Sequence, residues 1–439
     1  MIINLRPLYA VALLVLLVSD KLAGELLTGP AEFTNDGAEV ATSLGDYPRI
    51  LVMAGVALSF LFYRRLRGLA RTVFWVAVVG TAALAVESLL GYGTAMVYPH
   101  VFQKVLVLFL LPGMYGLYQY WGRIRTADLV NLLWILLALN LTFINFKALS
   151  IGAFISHDRG LYASTVYLLE IPLLYHFNQY LAERQPRQLA LFFLAGFAIL
   201  FFQHRTVWVV SLCMLTLNVL VLRRVARRRL SFSAVAPLVG IPLLVGGLGL
   251  TTLLVNYPEL ATKFLNDIAD IQNHETQGTG SWRHEQTQAY LPFVKENLAV
   301  GMRFEGFELP IQFYDPEQKE AWFEDGHGHF FHSFYMDALF YFGLVGLAAL
   351  MLPLLGMLGR LLRRPPAHPE ALTWLLFGSS GLIFGYSYSF PLYVYGILGF
   401  GLYRLTQLDA AAQSASPSPT LPPTAAPGSP APLSLPYPV

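Results

Sequence analysis

Residues 188–229 read QLALFFLAGFAILFFQHRTVWVVSLCMLTLNVLVLRRVARRR. Two apolar runs, 188–203 and 206–222, meet at a very tight turn, and the second ends in Arg223, Arg224, Arg227, Arg228 and Arg229. Crossing the hydrocarbon of a bilayer takes roughly 20 apolar residues at about 1.5 Å each in a helix. The pair therefore reads as a transmembrane helical hairpin. Its turn is too short to leave the membrane boundary, so Arg205 is held at the edge of the hydrocarbon, where a cation normally pairs or lines a wet cavity.

The same pattern extends in both directions. Apolar runs at 8–27, 50–63, 72–90, 104–121, 128–146, 161–181, 233–255, 330–359, 371–388 and 390–405 join the two already quoted. The chain is 55% hydrophobic and 13% charged, where a soluble domain carries about a quarter charged residues. The expected fold class is all-α: a polytopic integral membrane protein with about twelve transmembrane helices. A net charge of +2 gives no sign of nucleic-acid binding, and the single cysteine, Cys213, rules out an internal disulfide. The first run is read as a retained helix that also serves for export.

Basic residues set the direction. Arg64, Arg65, Arg67 and Arg71, then Arg123 and Arg125, then Arg184 and Arg187, then the cluster from Arg223, then Arg360, Arg363 and Arg364 occupy alternate connections. With twelve helices all five fall on one side, which the positive-inside rule makes cytoplasmic. Four segments result: helices one to nine over 1–255, a large periplasmic loop with short helices over 256–329, three more helices over 330–405, and a Pro/Ala/Ser-rich cytoplasmic tail over 406–439, expected to be disordered.

Three arginines stand on the outer side, away from these clusters: Arg159, Arg205 and Arg283. Each is either an interfacial anchor or part of an anion site, because a guanidinium grips phosphate oxygens in pairs and keeps its charge. Where the loop meets the next helix, residues 324–346 read EDGHGHFFHSFYMDALFYFGLVG. His327, His329 and His332 with Glu324 and Asp325 are compatible with a metal site, with a solvated lip, or with one reactive imidazole beside spectators. His332 sits at the junction itself, and Ser333 is placed to cap the helix.

His332-Ser333, nine residues, then Gly343-Leu344-Val345-Gly346 resembles the signature of bacterial O-antigen ligases, within a superfamily that also holds O-antigen and exopolysaccharide polymerases. Arg159-Gly160 before a helix and Arg283, some fifty residues ahead of the histidine, look like the periplasmic arginines of that family; His204-Arg205-Thr206 departs from its usual Ser-Arg-Thr. The resemblance implies an enzyme of the inner membrane with its active site facing the periplasm. It would transfer a glycan from an undecaprenyl-pyrophosphate donor to a lipid A–core hydroxyl, without a metal or other cofactor. On that reading His332 is the general base, Arg283 and Arg159 are catalytic, and Arg205, Ser333, Arg303 and His329 contact substrate. A polymerase of the same superfamily, or a transporter of lipids or solutes, is the alternative.

Overall fold

The computed structural model describes residues 6–28, 47–150, 160–225, 231–256, 281–312, 329, 331–363, 366 and 368–415. Arg159, His327, Glu324, Asp325 and the tail from residue 416 lie outside them. The described residues contain helices and no strands.

The first half comprises α1 (Arg6–Leu17), α2 (Lys21–Thr28), α3 (Tyr47–Leu61), α4 (Gly68–Tyr92), α5 (Pro99–Leu106), α6 (Leu110–Trp121), α7 (Thr126–Phe143), α8 (Ala163–Leu168) and α9 (Glu170–Glu183). It continues with α10 (Pro186–Phe201), α11 (Arg205–Leu220), α12 (Phe232–Asn256), α13 (Ser281–Glu296), α14 (Arg303–Glu308), α15 (Phe334–Arg363), α16 (Pro369–Ser387) and α17 (Leu392–Ala415). Each apolar run of the sequence is occupied by one of these helices or by two in succession.

Uninterrupted helices are fewer than the runs suggest. Among the described residues, five helical stretches are long and apolar enough to cross a membrane: Gly68–Tyr92, Pro99–Trp121, Thr126–Phe143, Arg205–Arg223 and Phe334–Arg363. Tyr47–Leu61, Pro186–Phe201 and Phe232–Leu244 are apolar but shorter. The run at 8–27 divides because Asp20 turns its carboxylate onto the Leu22 N–H at 2.9 Å and receives the Thr165 hydroxyl at 2.8 Å. A buried carboxylate needs such donors, and it takes them at the cost of helix continuity.

The helices pack around α6 and α16. α6 lies along α3 and α17, and α16 lies along α15, α9 and α11. Close approach depends on small residues: a side chain at Gly113 would run into the backbone of Gly55, and one at Gly399 into that of Leu111. The Ser59 hydroxyl crosses the same interface to the Phe109 carbonyl at 2.7 Å.

The basic connections gather at one end. Arg67 and Arg360 line a common crevice, Arg404 pairs with Glu370 at 2.6 Å and reaches the Ile124 carbonyl, and Asn178, near Arg184, meets Thr373 at 3.1 Å. At the other end lie the start of α11, the loop before α8, and both the entry to α15 and the exit from α16. His204 holds the Leu161 carbonyl at 2.7 Å, Tyr393 holds that of Ser164 at 2.6 Å, and Ser389 holds that of Phe331 at 2.8 Å.

One break positions the site. Within α15, Gly343 adopts φ 61°, ψ −161°, a region open essentially to glycine alone. The backbone groups released there are taken up by residues 298–302. Leu344 N–H donates to Leu298 O at 2.8 Å, Val345 N–H to Ala299 O at 3.1 Å, and Met302 N–H to Phe340 O at 2.9 Å. A Cβ on Gly343 would lie 2.6 Å from the Ala299 and Gly301 backbone. This gives the first glycine of the His332 motif a physical reason.

Gly343→Ala should therefore destabilise the protein by about 2 kcal/mol or more, combining the strained conformation with the clash. Gly359→Ala, on the same helix with open space around its Cβ, should not. Thermal unfolding of the purified variants in one detergent checks both.

Candidate active site

The clasp at Gly343 lays α13 against the outer half of α15. Tyr290 on α13 meets the rings of His329, Phe331 and Phe340 with centroids 5.0, 5.0 and 5.5 Å away. Its hydroxyl pairs with His329 Nδ1 at 2.7 Å, while His329 Nε2 pairs with the Leu309 carbonyl at 2.7 Å. The Tyr341 hydroxyl accepts from the His329 N–H at 3.1 Å and donates to its carbonyl at 3.2 Å. His329 is thus buried with both ring nitrogens bonded inside the protein. These bonds strap the loop onto α15, and His329 also lines the cavity beside it.

That strap delivers His332 to the mouth of α15. The Ser389 hydroxyl donates to the Phe331 carbonyl and, at 3.4 Å, to that of His332. Ser333 Oγ receives the Met336 N–H at 3.5 Å, in the capping position expected of it. Arg283, near the start of α13, lies with its guanidinium carbon 5.2 Å from the Tyr388 ring centroid. Tyr388 stacks on Phe384 at 5.2 Å, and Phe384 on Tyr167 at 4.1 Å. A ladder of rings thus runs from the bundle core to Arg283. A π face holds a guanidinium flat without occupying its N–H edge.

The two groups interact. Burial, and then the positive charge of Arg283, lower the His332 imidazole to about 4, because both disfavour a second cation there. At neutral pH His332 is therefore an uncharged imidazole able to accept a proton, beside a permanent cation.

The remaining expected residues fall out differently. Arg205 opens α11 directly after Gln203 and His204; the left-handed φ of 57° at Gln203 makes the tight turn, and Arg205 lies at the same end of the bundle as His332. Arg303 binds Glu87 Oε1 at 2.7 Å and the Gly301 carbonyl at 2.9 Å. These bonds tie the loop to α4. Arg159 lies outside the described residues. Among the described residues no three His, Cys, Asp or Glu side chains gather as metal ligands; His327, Glu324 and Asp325 are not among them.

Tyr388 and Ser389, which seat Arg283 and the His332 loop, carry no motif that singles them out in the sequence. The one signal there is a polar SYS tripeptide, Ser387–Ser389, in the tight connection between the last two helices. Beside the His332 loop a cavity of about 320 Å³ is walled by Lys104, Asp337, Tyr341, Ser389 and Tyr395.

Fold and site together describe an all-helical membrane protein whose imidazole–guanidinium pair sits at the end of the bundle opposite its basic connections. Residues 190–351 match the family model described as O-Antigen ligase. The match covers just over a third of the chain, including Arg205, Arg283, His332 and Gly343, and begins after Arg159. Comparison with curated proteins gives no match.

Titration of isotopically labelled histidine should find His332 neutral from pH 8 down to about 5 and protonated only near pH 4. Arg283→Gln removes a like charge and should raise that midpoint, though not to the ordinary value, because the burial remains.

Proposed function

We propose that the protein is a metal-independent glycosyltransferase of the O-antigen ligase type. It moves a glycan from undecaprenyl pyrophosphate to a sugar hydroxyl of lipid A–core, in lipopolysaccharide synthesis at the periplasmic face of the inner membrane. About twelve membrane crossings, counting broken helices as single passes, put the basic end in the cytoplasm and the His332 end outside. The observation that carries the reading is the His332 imidazole placed beside the Arg283 guanidinium, which is itself seated over the Tyr388 ring. The family match over the same residues supports it.

The reaction on this reading is a single inverting displacement. The acceptor oxygen attacks the anomeric carbon, the bond from that carbon to the pyrophosphate oxygen breaks, and the hydroxyl proton passes to His332. Arg283, together with Arg205 and Arg159, neutralises the departing pyrophosphate, so no general acid is required. Donor binding also prepares the base. Burial does most to depress His332; a pyrophosphate lodged at Arg283 offsets the smaller part due to that charge and raises the basicity of the imidazole partway.

His332→Ala should lower turnover by about 10²-fold or more with the protein still folded. Arg283→Lys should also fall by roughly 10²-fold, since an ammonium cannot reproduce the two-pronged grip or the flat seat. Both are measured by transfer of a purified lipid-linked glycan to lipid A–core in detergent. Near-normal turnover of His332→Ala would remove it as the base. A product that grows on the lipid carrier, with none on lipid A, would make the enzyme a polymerase instead. Loss of activity in EDTA with recovery on adding Zn²⁺ would restore the metal reading.

A further inference from the structure

The cavity beside the His332 loop has a composition of its own. Lys104 reaches across from α5 to Asp337 on α15, with Nζ 2.7 and 2.8 Å from the two carboxylate oxygens, and it rests 4.5 Å above the Tyr341 ring. Tyr395, at 2% exposure, contributes a hydroxyl with no hydrogen-bond partner among the described residues. Phe334 and Phe390 complete an apolar wall, and Ser389 belongs both to this cavity and to the clamp on the His332 carbonyl.

Three physical points narrow what fits. The ammonium and carboxylate cancel, so the cavity offers no net attraction to a phosphate, and Asp337 opposes one directly. Each charged group nevertheless keeps capacity beyond the ion pair, the ammonium having three donors and the carboxylate about four acceptor sites. A buried tyrosine hydroxyl without a partner is expensive to leave so, and a ligand bearing hydroxyls would satisfy it. At about 320 Å³ the space lies at the small end of ligand pockets, roughly 300–1,000 Å³, with the usual pattern of apolar walls and a few convergent polar groups.

We propose that this cavity is a saccharide subsite that takes one neutral sugar ring, with neighbouring hydroxyls on the Lys104–Asp337 pair and one on Tyr395. The proposal rests on the glycan-transfer reading of the His332 site. The ring belongs either to the acceptor glycolipid or to the carrier-proximal end of the donor glycan, since both must lie near His332 during transfer.

The experiment is steady-state kinetics of the full-length protein, with lipid A–core and undecaprenyl-pyrophosphate glycan varied in turn. Tyr395→Phe should raise KM about three- to tenfold for one substrate and leave kcat essentially unchanged, as expected for one lost hydrogen bond to a neutral group. A rise for lipid A–core assigns the subsite to the acceptor; a rise for the lipid-linked glycan assigns it to the donor. The double variant Lys104→Met with Asp337→Leu keeps the charge balance, so no lone buried ion remains to unfold the protein, and it should raise the same KM further. Unchanged KM for both substrates in Tyr395→Phe overturns the subsite, as does a fall in kcat alone. His332→Ala in the same assay keeps the underlying reading separate: loss of transfer there with an unaffected Tyr395→Phe sinks the subsite only.

Discussion

The backbone pairing between residues 298–302 and the broken turn at Gly343 holds this end of the protein together. A helix interrupted inside a membrane protein leaves N–H and C=O groups that cost several kcal/mol each in hydrocarbon if unmet. Here the loop meets them: Leu298, Ala299 and Met302 bond to Leu344, Val345 and Phe340. Satisfying the break and docking the loop are one event. Once the loop is docked, α13 must run back along the outer half of α15, so Tyr290 reaches His329 and Arg283 comes beside His332. The nine residues between the motif's histidine pair and its first glycine form the helical segment that measures this distance.

The arginines divide by what holds them. Arg303, Arg360 and Arg404 rest on carboxylates, which fix the chain and cancel the charge. Arg283 rests on a ring that is itself stacked on Phe384 and Tyr167. An aromatic seat fixes the guanidinium plane without cancelling its charge, and that charge is felt at His332. At the imidazole end itself the two uses stand side by side, Arg303 tying the loop to Glu87 and Arg283 keeping its charge for His332.

Hydropathy and arginine placement made the helical runs and the basic end legible, because both are local properties that the bilayer imposes on any sequence. The His332 motif was legible as a spacing, and Arg283 as a basic residue away from the basic end. Other features depended on partners distant in the chain. Asp20 divides a run because Thr165 meets it, and His329 is fixed in place because Tyr290 and Leu309 bond its two nitrogens. Arg303 is a tie because Glu87 lies on another helix. Tyr388 and Ser389 had no pattern to mark them; their importance comes from what folds onto them.

The break at Gly343 also separates two mechanical regimes. Bilayers differ in thickness, and a spanning helix answers a mismatch by changing its tilt. In an unbroken helix that tilt would swing the histidine at its mouth through an arc. Here the half beyond Gly343 is packed on α16 through Leu354 and Met357, while the half that carries the histidine is bonded to the loop. The alignment of His332 and Arg283 is therefore set by the loop bonded at the break, and not by the line of one continuous helix.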